Sequence, residues 1–140
     1  MKTRKSWREK LAESKDLPKT MVIPAPREVN EIMARVPKGK LTTIEEIRRC
    51  LARKHGTTFA CPLTTGIFAW IAAHAAAEAA AEGESVTTPC WRTLKSDGQI
   101  NPKYPGGVKA QSRLLKAEGH KIIRKGQQFF VTGYEKSLFA

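Results

Sequence analysis

Apolar residues recur at helical spacing in three stretches of the chain. Val29, Ile32, Met33 and Val36 stand three and four apart between Pro26 and Pro37, which puts them on one face of a helix. Pro26 suits its first turn. Ile44, Ile47 and Leu51 form a second stripe, with Arg48, Arg49, Arg53 and Lys54 on the outer side. Thr43-x-x-Glu46 ahead of it is a capping-box pattern, and Gly56 offers a left-handed stop. Pro62 opens a third helix, in which Ile67, Trp70, Ile71, His74 and Ala75 are expected to continue one face through an alanine-rich run to about Ala81. Alanine is the strongest helix former, so this helix is expected to be long.

Beyond Gly83, Val86-Thr87-Thr88 reads as a short extended piece. Gly98, Pro102, Pro105, Gly106 and Gly107 make the following stretch a loop. Val108 to Ala117 is helical again, with Leu114 and Leu115 expected inward. Ile122 to Val131 has the pattern of two strands about a Lys-Gly turn. Two helices joined by a short turn, the second entering with Pro62, Thr64, Thr65 and Gly66, predict a helix-turn-helix; an ordinary helical hairpin is the alternative. In a helix-turn-helix the start of the second helix meets the DNA groove. A basic hairpin placed after it would form a wing.

Charge sharpens this picture. The 140 residues suffice for one domain with a real core, and 25 Lys and Arg against 13 Asp and Glu give a net charge of +12. Such an excess points to a polyanion, with nucleic acid first and an anionic membrane second; a merely solvated basic surface is the bland alternative. Residues 1–24 carry seven of the basic residues and read as a basic extension, either an arm adding phosphate contacts or a packing tail in which Trp7 and Leu11 share a stripe. Residues 25–140 form the domain. No apolar run is long enough to span a bilayer, and no secretory signal is evident, so no membrane partner is expected. Cys50, Cys61 and Cys90 contain no C-x-x-C pair, which speaks against a disulfide framework and for a reducing compartment. Cys50, His55 and Cys61 lack metal-ligand spacing, so neither metal nor other cofactor is expected.

The most specific signal is Pro89-Cys90-Trp91-Arg92, followed by Tyr104-Pro105-Gly106-Gly107 and by Leu114-Leu115-Lys116-Ala117-Glu118-Gly119. It resembles the active-site segment of the O6-alkylguanine-DNA alkyltransferases, with their Pro-Cys-His-Arg, Tyr-x-Gly-Gly and Leu-Leu-x-x-Glu-Gly. Val36-Pro37-Lys38-Gly39 is similar to the turn that precedes that family's helix-turn-helix. The resemblance covers about Pro26 to His120. It implies an α/β winged helix-turn-helix domain of the alkyltransferase C-terminal type that grips duplex DNA from the minor groove and rotates an altered guanine out. Cys90 then corresponds to the alkyl acceptor and Glu118 to the carboxylate that orients the family's histidine. Trp91, Arg92, Tyr104, Pro105 and Gly106 correspond to the base pocket. Thr43, Ile44, Pro62, Thr64, Thr65 and Gly66 fall on the expected DNA-binding surface.

The departures are equally definite. Trp91 stands where the family has histidine, and an indole has no basic nitrogen. Ile44 occupies the place of a base-rotating tyrosine. With Pro62 aligned to the start of the recognition helix, Gly66 falls where the family inserts an arginine. No asparagine lies between that helix and Pro89, where the family has a hinge, and the connection is several residues longer. A free thiol ionises near pH ~8.5, so transfer to Cys90 would need a substitute base; His74 and His120 are the nearest in sequence. Three functions stay open. One is an alkyltransferase-like protein that recognises alkylated or altered bases for repair. The second is a single-turnover methyltransferase using Cys90. The third is a general DNA-binding protein with a vestigial pocket. The expected setting is a monomer in the cytoplasm, associated with the nucleoid, with double-stranded DNA and other repair proteins as partners.

Overall fold

The computed structural model describes residues 6–8 and 19–139. The proposed Trp7–Leu11 stripe and most of the basic extension lie outside the described residues. The first helix, α1 (Pro26–Ala34), starts where Pro26 fixes the backbone, and the Glu28 carboxylate accepts the Ala25 N–H at 3.0 Å. In α2 (Ile44–His55), the Thr43 hydroxyl accepts the Glu46 N–H at 3.2 Å. Only half of the expected capping box forms, because Glu46 pairs with Arg49 at 2.8 Å instead of reaching back. After six intervening residues α3 (Pro62–Ala81) begins, and α2 and α3 together make the helix-turn-helix. The short strands β1 (Met21–Val22) and β3 (Phe59–Ala60) pair in parallel, with Met21 opposite Phe59, and brace the turn between these helices. Folded backbone thus reaches back past residue 24.

These three helices enclose a first core of Val29, Met33, Ile47, Leu51, Ala60, Ala69 and Ala72. The inward face of α3 differs from the expected one. Thr65, Ala69, Ala72 and Ala73 are buried, whereas Ile67, Trp70 and Ile71 face out. Small side chains let α1 approach α3 closely, so alanines take the contact face. Because α3 is apolar all round, periodicity could not choose between its faces.

A second core of Leu41, Leu94, Ile100, Leu115 and Val131 lies beyond the first. It is built by β2 (Thr42–Thr43) paired in parallel with β4 (Thr93–Leu94), by α4 (Gly107–Ala117), and by the antiparallel hairpin of β5 (Ile122–Lys125) and β6 (Gln128–Val131). Leu115 is fully buried, but Leu114 is exposed, correcting the expected inward pair. Successive residues on a helix lie 100° apart, so one of two adjacent leucines faces away. The hairpin is the expected wing. It is stitched to the loop after β4 by the Ile100 N–H on the Phe129 carbonyl (2.8 Å) and the Val131 N–H on the Gly98 carbonyl (3.1 Å).

Ala69→Leu should force α1 and α3 apart and destabilise the fold by about 1–3 kcal/mol. Ile71→Ala, on the outer face, should change stability by less than about 0.5 kcal/mol. Urea denaturation of both variants checks the assignment of faces.

Candidate functional site

Between the two cores the chain runs through Thr88 and Pro89 into a single 3-10 turn, Cys90–Arg92. The Thr88 hydroxyl donates to Asn30 Oδ1 of α1 at 2.8 Å, anchoring the approach to the cysteine. An asparagine therefore stands beside this segment after all, though it comes from α1 and not from the connection before Pro89. The tight turn sends adjacent side chains in different directions. Cys90 packs against the helical core, and Trp91 against the second core.

Glu118 sits at the C-terminal end of α4, where Gly119 (φ 92) takes the left-handed conformation that reverses the chain. Its side chain is only 7% exposed. Trp91 Nε1 donates to Glu118 Oε2 at 2.8 Å. Arg92 donates through Nε (3.0 Å to Oε1) and Nη2 (2.9 Å to Oε2), and the Gly39 N–H adds a bond of 3.3 Å. The other arm of Arg92 donates to the Val36 carbonyl at 2.8 Å, and its guanidinium stacks 5.2 Å from the Trp91 ring centre. Burial alone would raise the Glu118 pKa, but the bonds from Arg92, Trp91 and Gly39 outweigh it and hold the carboxylate below its ordinary range. Trp91 thus supplies the donor that a histidine would, with no basic nitrogen on the far side.

Burial pushes the Cys90 thiol above its ordinary range, and the N–H groups of Cys90 and Trp91 offset only part of this. Tyr104 is buried in the loop before α4, and its hydroxyl is raised well above normal by burial and further by Cys90. Gly106 (φ 80) caps α4, and a Cβ there would stand 2.5 Å from the Ala110 Cβ. Pro105 is half-buried beside it. The two candidate substitute bases have other surroundings. His74 approaches the Lys103 carbonyl at 3.3 Å. His120 follows α4, with its pKa lowered by burial against an opposing pull from Glu118.

The expected DNA-binding set divides. Thr43 is 2% exposed and spends its hydroxyl on the helix cap. Thr65 is fully buried, and its hydroxyl donates to the Cys61 carbonyl at 2.7 Å. The Thr64 hydroxyl oxygen is also shielded from solvent. The Thr43 and Thr65 hydroxyls are taken by backbone partners, as threonines near a helix start readily are. Pro62, Gly66 and Ile44 do reach the surface. They line a cleft of about 470 Å³ together with Leu63, Ile67, Trp70, Lys95, Asn101 and Lys103, six residues the sequence-based surface omitted. Trp70 Nε1 donates to the Lys103 carbonyl at 3.2 Å, tying α3 to the Tyr104 loop. A leucine and an isoleucine four apart at the start of a helix whose contact face is alanine was the available signal. Among the described residues no His, Cys, Asp and Glu cluster could hold a metal, and no helix is long and apolar enough to cross a membrane.

Glu118→Gln should leave the Arg92 guanidinium without its counter-charge and cost about 3 kcal/mol at neutral pH. Because the folded-state pKa of Glu118 is lowered, its contribution is full above the ordinary carboxylate range and fades as pH falls through the folded value. The variant should therefore show a flatter loss of stability between neutral pH and about pH 3, read by urea denaturation across that range.

Residues 24–120 match the family model described as 6-O-methylguanine DNA methyltransferase, DNA binding domain. The fold is similar to that of S. pombe Atl1 in complex with damaged DNA containing O6-carboxymethylguanine, with a TM-score of 0.53 and 20% identity over 82% of this chain and 94% of that one. A second structure, S. pombe ATL in complex with DNA, is similar to the same extent: TM-score 0.53, 20% identity, 82% and 94% coverage. No curated protein matches the sequence. With the family model spanning most of the chain, and the cysteine segment tied to Glu118 through Trp91 and Arg92, this chain belongs to the 6-O-methylguanine DNA methyltransferase family through its DNA-binding domain.

Proposed function

We propose that this protein is an alkyltransferase-like member of its family, which binds duplex DNA, recognises alkylated or otherwise altered bases, and serves DNA repair without efficient alkyl transfer. The observation that carries this is the bond from Trp91 Nε1 to Glu118. The carboxylate is occupied by an indole and a guanidinium, so no relay leads from it to Cys90. Burial keeps the thiol protonated, and a protonated thiol is a poor nucleophile. The net charge of +12 supports a polyanionic partner, and the two similar structures are both complexes with DNA. On this reading the protein acts as a monomer on DNA in the cytoplasm, at the nucleoid, and other repair proteins complete the work.

A slow, single-turnover methyltransferase is the second reading. It draws support from Cys90 itself, whose sulfur receives the N–H groups of Cys90 and Trp91. In that case the Cys90 sulfur attacks the alkyl carbon, the carbon–O6 bond breaks, and the thiol proton is relayed through solvent to the departing guanine, which leaves as the neutral base while the thioether forms.

The intact mass of the protein after incubation with a duplex carrying O6-methylguanine separates the two. The expected result is no added methyl group, with tighter binding to the damaged than to the undamaged duplex. Trp91→His should bring an imidazole against Glu118 and confer transfer that Cys90→Ser abolishes. Rapid methylation of the wild-type chain would sink the lesion-sensor reading; its rate should then climb with pH above neutrality, since only the thiolate reacts and its pKa is raised. Equal binding to both duplexes would leave a general DNA-binding protein.

A further inference from the structure

Lys109, Arg113 and Lys116 stand four and three residues apart, on one face of α4. The face toward the second core carries Gln111 and Leu115, both buried. The three cations are exposed, and among the described residues none of them is paired with a carboxylate. Residues 107–131 hold six Lys or Arg against one acid, Glu118, which is already taken by Arg92 and Trp91. The charge of this region is therefore left for a partner to neutralise. Between α4 and the wing lies a cleft of about 670 Å³, lined by Val108, Lys109, Ser112, Arg113, Lys116 and Phe129. Phe129 is half-buried. In the register of the wing it pairs with Arg124, whose guanidinium lies 5.8 Å from its ring centre. This cleft shares no residue with the one at the start of α3.

A row of cations beside an aromatic ring fits a chain of phosphates that carries flat apolar groups. In a duplex the faces of the bases are covered by their neighbours, which leaves nothing for a ring in a cleft to stack on. An acidic peptide would satisfy the cations and leave the ring unused. An unpaired strand supplies both partners. We infer that the cleft between α4 and the wing binds single-stranded DNA, apart from the duplex surface at the start of α3. Lys109, Arg113 and Lys116 follow the phosphates, and a base stacks against Phe129 and Arg124. Lys109 and Lys116 are about 10 Å apart along the helix, so the row reaches more than one phosphate. Grooves that take single strands combine a cationic track with an aromatic platform, and they tolerate any sequence because every base has a flat face. With two separate surfaces, the protein sits where paired and unpaired DNA meet. The inference goes beyond the lesion-sensor reading and does not depend on it.

The test is fluorescence anisotropy of a labelled oligothymidylate about twelve nucleotides long, titrated with the full-length chain alone and with its one-to-one complex with an unlabelled, undamaged duplex. Both should bind the probe with similar affinity. Replacing Lys109, Arg113 and Lys116 together by alanine should weaken probe binding at least about tenfold and lower its salt slope by about two, while duplex affinity holds. Alanine suits these exposed helix positions, so circular dichroism of the triple variant should match the wild type. Phe129→Leu should lose about tenfold in probe affinity, and so should an abasic oligomer of the same length against the wild type; Phe129→Tyr, which keeps the ring, should retain it. Stoichiometric displacement of the probe by duplex, a triple variant with wild-type probe affinity, or an abasic oligomer that binds as well as oligothymidylate would each overturn the inference. A chain that takes the probe in this cleft but binds no duplex would sink the duplex reading and leave this one standing.

Discussion

A carboxylate withdrawn from water keeps its charge only if donors replace the water it has lost. Glu118 is given four N–H groups, from the Trp91 indole, two nitrogens of Arg92 and the Gly39 backbone. Arg92 then extends the network to the Val36 carbonyl at the end of α1. The end of the first helix, the turn before β2, the cysteine segment and the end of α4 are held to one another through this group. Charge-assisted bonds of this kind are short and directional, so they fix the orientation of the 3-10 turn and with it the direction in which Cys90 points.

That direction matters because the turn lies at the seam of two separate cores. Cys90 belongs to the helical side and Trp91 to the side of the wing. The Trp91 indole donates its one N–H to the Glu118 carboxylate and has no basic nitrogen to offer on any other side. Around the turn, burial raises both the Cys90 thiol and the Tyr104 hydroxyl above their ordinary ranges.

Much of this was legible in the residues. The boundaries of α1, α2 and α3 followed from Pro26, Thr43, Gly56 and Pro62, each of which acts through its own backbone or hydroxyl. The hairpin followed from alternation about Gly126, which adopts φ 63. The bonds that join Trp91 and Arg92 to Glu118 could not be read from local pattern, since they are tertiary contacts. What escaped reading was orientation. Apolar residues surround α3, so which face meets α1 depends on how closely two backbones can approach. That in turn depends on Ala69 and Ala72 opposite the helix they touch. For the same reason the threonines at the helix starts looked available for DNA, when local carbonyls and N–H groups claimed Thr43 and Thr65 first. Half a capping box formed because Arg49 competed for Glu46.

The donors to Glu118 come from residues 26, 27 and 79 positions earlier in the chain. Bringing such distant segments together costs loop-closure entropy before any contact repays it. As the chain is synthesised, Arg92 and the Val36 carbonyl are present before Glu118 exists, and they must wait for α4 to complete and turn back at Gly119. The orientation of the cysteine turn therefore depends on a residue that lies 26 positions beyond Arg92, and truncation before Glu118 would remove the acceptor of every one of these bonds.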